Sequence, residues 1–270
     1  MPSKEIARRI GLARALSKLG YCSRSQAAEL VHAGRVRLNG DVRRNPETPV
    51  RLERDHIRVD ERVVGSREKV YLAVNKPRGL VTTAADEKGR KTVYEVLAKA
   101  GESLPWVAPV GRLDQASEGL LLLTNDSEWG AKIAAPATHL EKTYHVQIDK
   151  VMGEKFTQAL VNGVKGEDGG LLRAFRARPL RSGEKNCWLE ITLDEGKNRQ
   201  IRRMLAALGV DVLRLVRVAI GPLQLGKLAK GDWRALTAEE ILSLDRAIAE
   251  IGPRDSRVRP RPAKLELPRI

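Results

Sequence analysis

Cysteine is nearly absent: only Cys22 and Cys187 occur in 270 residues, far apart, with no CxxC pair and no Cys/His cluster. A disulfide framework and a structural zinc site are therefore excluded as organising features. Long apolar runs are missing too. Nowhere do about 18 apolar residues follow one another, so no segment reads as a membrane helix. The opening stretch MPSKEIARRIGLARALSKLG lacks a continuous apolar core of signal-peptide length, which predicts a cytoplasmic protein with no membrane partner. Acidic residues are in the minority, 34 against 49 lysines and arginines, giving a net charge of +15. Such a balance favours a polyanionic partner, nucleic acid first, with anionic membranes or plain solubility as the other readings. What is present in quantity is apolar residue, 42% of the chain, enough for one substantial core and a second small domain beside it.

The basic residues gather at the ends. Residues 1–65 hold 14 basic and 8 acidic side chains, and residues 252–270 hold 6 and 2. In the first stretch Leu12, Leu16 and Leu19 keep helical spacing and Gly20 is placed to stop that helix. Ser23 with Gln26 forms a capping box for a second helix, whose apolar face is Ala27, Leu30 and Val31 and whose end is Gly34. Val36 and Leu38 then alternate with Arg35 and Arg37 up to Asn39-Gly40, a dipeptide suited to a tight hairpin. The whole run, LSKLGYCSRSQAAELVHAGRVRLNG, resembles the S4 RNA-binding domain over roughly residues 11–60. The resemblance implies RNA contacts at Arg24, Arg35, Arg37 and Asn39; the residues alone also allow a merely solvated cationic face. One departure is Ser25, where the family's Ser-Arg-Arg-x-Ala core carries a second arginine.

A charged stretch from Glu61 to Lys69 reads as a linker, after which strands alternate with helices. Strands are expected at Tyr71 to Val74, Leu120 to Thr124, Thr143 to Ile148, Trp188 to Leu193 and Val212 to Val218. This predicts an α+β fold on a mixed, mainly antiparallel sheet. Prolines and charges after Gly252 predict a flexible basic tail. The expected division is an N-terminal extension at 1–10, the S4-like domain at 11–62, a linker at 63–69, a larger domain at 70–251 and the tail at 252–270.

Chemistry concentrates in Gly111-Arg112-Leu113-Asp114-Gln115-Ala116-Ser117-Glu118-Gly119, which leads into Leu120 to Leu123 and Thr124-Asn125-Asp126. Taken bare, Asp114 fits a helix cap, a turn residue or a partner for Arg112. Two further segments lie downstream, Lys142-Thr143-Tyr144 and Glu195-Gly196-Lys197-Asn198-Arg199-Gln200-Ile201-Arg202-Arg203-Met204. Alone, Tyr144 is an ordinary strand aromatic and the second segment a solvated cationic helix. On that helix Ile201, Met204, Leu205 and Leu208 share a face at about 100° per residue, which puts Arg202 roughly 60° from Leu205, at the stripe's edge. Arg199 and Arg203 point away on the same wheel. Arg202, and neither neighbour, is thus expected to meet a partly buried carboxylate.

In kind and in order these segments resemble the RsuA/RluB-type ribosomal-RNA pseudouridine synthases, with Asn75-Lys76-Pro77-Arg78-Gly79 as another shared segment, over roughly residues 11–245. The resemblance implies a pseudouridine synthase catalytic domain that isomerises uridine in ribosomal RNA, 23S ahead of 16S. It makes Asp114 the catalytic residue, Arg202 its partner and Tyr144 the aromatic against the base. Lys76, Arg78, Arg112, Arg199 and Arg203 are expected on RNA. It implies a monomer with no cofactor and no metal, because the isomerisation needs neither redox step nor Lewis acid. The alternatives are a non-catalytic S4-type RNA-binding or ribosome-associated protein and a synthase acting on transfer RNA. All three catalytic residue types are present, against the first. The long SEGLLLLTND and NRQIRR forms argue against the second.

Removing residues 1–62 is expected to weaken RNA binding and to flatten its dependence on salt, since phosphate contacts release counterions. Filter binding across a salt series checks this, and an unchanged salt slope would contradict it.

Overall fold

The computed structural model describes residues 9–250 apart from 66, 85, 87 and 99–103. Most of the expected N-terminal extension and all of the expected tail lie outside the described residues. The first unit comprises β1 (Ile10–Gly11), α1 (Leu12–Lys18), α2 (Arg24–His32), β2 (Val36–Leu38), β3 (Asp41–Arg43), β4 (Pro49–Val50), β5 (Ile57–Val59) and β6 (Arg62–Val64). The two helices bury Leu12, Leu16, Ala27 and Val31 against Val36, Leu38, Ile57 and Val59 of a sheet ordered β3-β2-β5-β6. The capping box forms as expected: the Ser23 hydroxyl accepts from the Gln26 N–H, and the Gln26 side chain accepts from the Ser23 N–H. Asn39 and Gly40 both take positive φ, 54° and 95°, so Leu38 pairs directly with Asp41 across a two-residue hairpin.

The linker begins later than the sequence reading has it. Asp60, at φ 51°, turns the chain so that Val59 pairs with Arg62, and β6 continues to buried Val64. Charge in the turn hides this strand, because an edge strand needs few apolar residues. The connecting segment is then tied down by Asn125, whose amide donates to the Glu68 carbonyl at 2.7 Å and accepts from the Val70 N–H at 2.8 Å.

The larger unit runs β7 (Tyr71–Lys76), α3 (Tyr94–Leu97), β8 (Ala108–Val110), β9 (Glu118–Thr124), α4 (Ser127–Ala134), β10 (Lys142–Ile148), α5 (Glu154–Asn162), β11 (Val164–Lys165), β12 (Leu171–Leu172), β13 (Arg176–Ser182), β14 (Cys187–Leu193), α6 (Gln200–Ala207), β15 (Val212–Ile220), β16 (Leu223–Gln224), β17 (Trp233–Ala235) and α7 (Ala238–Glu250). Its main sheet is ordered β13-β14-β10-β15-β9-β7-β17, with β16 beside β15 and β8 beside β9. All five expected strands are present. The unforeseen β13 is the edge strand, where Pro179 is tolerated beside a register shift, and its arginine-rich pattern has no apolar face to read.

Burial explains the leucine run. Every residue of β9 is buried. Side chains alternate across a strand, so Leu120 and Leu122 join a core with Trp129, Ile133 and Leu244, while Leu121 and Leu123 join another with Leu72, Val74 and Val96. Each fully buried leucine contributes about 2 kcal/mol, which makes β9 the strand both cores grip. A third core packs Val146, Ile148, Leu189 and Ile191 against Leu160 of α5 and Ile201, Met204 and Leu205 of α6.

Pairings in the main sheet are antiparallel except one: β15 meets β9 in parallel, Val216 beside Glu118 and Arg217 beside Gly119. At this seam the backbones nearly touch. Gly119 takes φ 101°, and a Cβ there would stand 2.3 Å from the Arg217 carbonyl oxygen. Gly119→Ala is therefore expected to destabilise the fold by about 2–4 kcal/mol through strain and collision together. Urea denaturation measures it, and an unchanged midpoint would contradict the close approach.

Candidate active site

The loop between β8 and β9 carries Asp114, and the segment leaving β7 holds that loop in place. Leu113 exchanges two hydrogen bonds with the Thr82 hydroxyl, giving its N–H at 3.3 Å and accepting at 2.8 Å. The Gly79 N–H donates to the Gln115 carbonyl at 2.8 Å, and the Gln115 amide donates back to the Gly79 carbonyl at 3.1 Å. The Ser117 N–H closes a turn on the Asp114 carbonyl at 3.0 Å. Beneath the turn lies Lys76, 0% exposed, its ammonium donating to the carbonyls of Ser117 at 2.8 Å and Pro77 at 3.1 Å. Burial lowers its pKa to about 8, against the pull of Asp114 and Glu118. The expected RNA contact at Lys76 falls on a side chain that is sealed from solvent and supports the loop.

So held, the Asp114 carboxylate is 31% exposed in the wall of a cavity of about 330 Å³, a volume suited to a small organic group. Tyr144 of β10 and Lys142, two residues away on the same strand face, line another wall. Arg199 and Arg202, at the start of α6, line a third.

Their arrangement differs from the helical-wheel expectation. Arg199 is the residue that approaches the carboxylate, Nη1 to Oδ2 at 3.9 Å. It precedes the helix as its N-cap in the left-handed conformation, φ 47° and ψ 33°, so its direction does not follow the helical period. Arg202 lies at the stripe's edge as expected, but its Nη2 donates to the Ala116 carbonyl at 3.2 Å, and its buried Nε has no hydrogen-bond partner. Burial and the neighbouring Arg199 lower its pKa, while Asp114 pulls it the other way. Arg203 faces elsewhere, pairing with Asp168 at 2.6 Å. The helix start is fixed by buried Gln200, whose amide donates to the Arg173 carbonyl at 2.9 Å and to Glu195 at 2.7 Å.

Arg112 and Arg78 are exposed near the cavity mouth. In the first unit Arg24 is exposed, and Arg37 stands exposed beside Arg58 of β5, its cross-strand neighbour, donating only to the Gly40 carbonyl. Like charges face each other there, with Arg58 already paired with Glu61 at 3.2 Å. Arg35 and Asn39 fit the RNA-contact expectation less well. Arg35 is bidentate with Asp60 at 2.6 and 3.0 Å, and both ends of the Asn39 amide are taken by Asp55 and the His56 N–H. Asn39 is thus a turn residue, as its φ requires.

Three charged residues at the site escaped the sequence reading. Arg217 of β15 is 5% exposed and lines the cavity beside Tyr144. Lys142 is lowered to about 8 by burial first and by Arg217 second, with Asp194 opposing. Glu118 is buried, yet Lys230 at 2.6 Å and Arg214 at 3.2 Å outweigh its burial and lower its pKa. The available signals were one arginine inside LVRVAI and the shared strand face of Lys142 and Tyr144.

Comparison with known proteins gives the family. Residues 70–207 match the RNA pseudouridylate synthase family, and residues 10–57 match the S4 domain. The chain is similar to an uncharacterised RNA pseudouridine synthase of Aquifex aeolicus, 39% identical over 86% of this chain and 92% of that one. It is also similar to the ribosomal large subunit pseudouridine synthase B of Bacillus subtilis, 36% identical over 89% of this chain and 97% of that one. A crystal structure of a pseudouridylate synthase superposes with a TM-score of 0.59 at 29% identity, covering 87% of this chain and 99% of the other.

The depressed lysines carry a stability signature. Between pH of about 8 and the ordinary lysine value of 10.5, the unfolded chain binds protons that the folded chain does not, so stability from this source rises with pH across that window. Below it the penalty is complete. Lys142→Met removes one contribution, so the wild type is expected to gain stability relative to the variant as pH rises from about 8 to 10. Urea denaturation at several pH values tests this; a difference independent of pH would contradict a buried, depressed Lys142.

Proposed function

The chain belongs to the RNA pseudouridylate synthases, enzymes that isomerise uridine to pseudouridine in RNA, and from that premise we propose that its substrate is ribosomal RNA, with Asp114 as its catalytic residue. The observation that carries the catalytic part is the Asp114 carboxylate in a cavity shared with Tyr144, with Arg199 at 3.9 Å. An ionised aspartate is what the chemistry needs, as nucleophile or base at the sugar, and a nearby guanidinium favours the ionised form. Tyr144 offers its ring to the base. Arg202, bonded to the loop two residues past Asp114, steadies that loop and adds positive charge beside it.

A base inside folded RNA must leave its stack to reach such a cavity. Cations at the mouth, Arg112, Arg78 and Arg199, and those of the S4 domain, Arg24 and Arg37, hold the backbone while it does. Large-subunit RNA is favoured over small-subunit RNA, because the similar Bacillus subtilis protein is a ribosomal large subunit synthase and this chain spans 97% of it. Among the described residues no helix is long and apolar enough to cross a membrane. A monomer working in the cytoplasm on free or assembling ribosomal RNA completes the reading.

Tritium release from RNA labelled at uridine C5 tests it. The wild type is expected to release label from 23S fragments ahead of 16S fragments and transfer RNA transcripts. Asp114→Asn is expected to release none while binding RNA within about twofold of the wild type, since its phosphate contacts are untouched. Full release by the variant would refute the assignment of Asp114, and release from transfer RNA alone would refute the substrate class.

A further inference from the structure

Arg217 sits in the middle of β15 with Tyr144 opposite it on β10 and Gly119 beside it on β9. The β10–β15 register slips here: Thr143 pairs with Ala219 but Tyr144 with Arg217, leaving Val218 without a counterpart. An extra residue of this kind bends its strand and re-aims the neighbouring side chain. Arg217, 5% exposed, lines the cavity. Its Nε donates to the Leu120 carbonyl at 2.7 Å, which fixes the plane of the group. Its Nη2 is buried and has no hydrogen-bond partner. Glu118, the carboxylate on the adjoining strand, is already held by Lys230 and Arg214.

A desolvated cation in a cavity wall, fixed at Nε and with a donor left unpaired, is an arrangement that stabilises charge appearing during reaction. Lys142 lines the same cavity, so this wall is rich in positive charge. We propose that the Arg217 guanidinium donates to a carbonyl oxygen of the uracil ring and stabilises the negative charge the base carries while detached from the ribose. When the N1–C1′ bond breaks, its electron pair stays on the base, spread over N1 and the carbonyl oxygens. The base turns, C5 forms the new bond to C1′, the proton on C5 leaves, and N1 takes up a proton, so nothing is oxidised or reduced. Arg217 holds the charge between the two bonds. The proposal rests on the cavity being the uridine site.

The test compares leaving groups in single-turnover reactions, read by chromatography of nucleoside digests. Fluorine at C5 withdraws electrons and stabilises the detached base by itself, so the donor matters less for 5-fluorouridine RNA. Arg217→Gln is expected to slow consumption of uridine on the order of 100-fold, but that of 5-fluorouridine by less than about tenfold. Equal slowing of both substrates, as a merely structural role gives, would overturn the proposal, as would no slowing of either. If the glutamine variant does not fold, Arg217→Lys takes its place: a larger loss on uridine than on 5-fluorouridine supports the donor role, and equal losses refute it. Asp114→Asn runs alongside. Uridine conversion by that variant would count against the proposed function, whatever Arg217 does.

Discussion

The site depends on the parallel seam where β15 meets β9. Antiparallel pairing on either side gives way here to a single parallel contact, with Gly119 at φ 101° against the Arg217 backbone. The close approach sets the positions of everything chemical nearby. Just upstream, β9 begins at Glu118, and the Asp114 turn closes on Ser117 immediately before it. Downstream, the Leu120 carbonyl turns to Arg217. Tyr144 faces the same point from β10. A residue with a side chain at position 119 disturbs all of these together, because they share one contact.

Around the seam charges are buried at unusual density. Lys76, Glu118 and Arg217 are each at least nine-tenths buried, and Lys142 is depressed to about 8. Buried cations are unfavourable unless paired or solvated by fixed dipoles. Here carbonyls satisfy Lys76, and Lys230 and Arg214 neutralise Glu118, but Arg202 Nε and Arg217 Nη2 are left without partners. Such an excess of cations suits a polyanionic substrate.

Much of this was legible in the sequence, and the rest was not for identifiable reasons. Local signals read well: the Ser23–Gln26 capping box, the Asn39-Gly40 hairpin and the five apolar strands depend on neighbours in the chain. Asp114 and Tyr144 were picked out by segments whose resemblance extends beyond any single residue. Arg199 was misjudged because one left-handed residue at a helix start breaks the period on which a wheel depends. Lys76 has the sequence context of a surface cation because its burial comes from the Ser117 turn, some forty residues away. Arg217, within a segment that reads as fold, and Lys142 give no sign of a place in the site, because membership of a cavity wall follows from strand order and a register slip, neither of which the sequence displays. The edge strand β13 carried too many arginines to show a face.

The central claim is that uridine in ribosomal RNA is isomerised at the Asp114 cavity. Its most direct test is a map of pseudouridines across all ribosomal RNA from three strains: wild type, one lacking this protein, and one carrying Asp114→Asn at the native locus. The account predicts that the same ribosomal position or positions revert to uridine in the second and third strains alike. A map unchanged by loss of the protein, or one in which the Asp114→Asn strain keeps the modification, would contradict it.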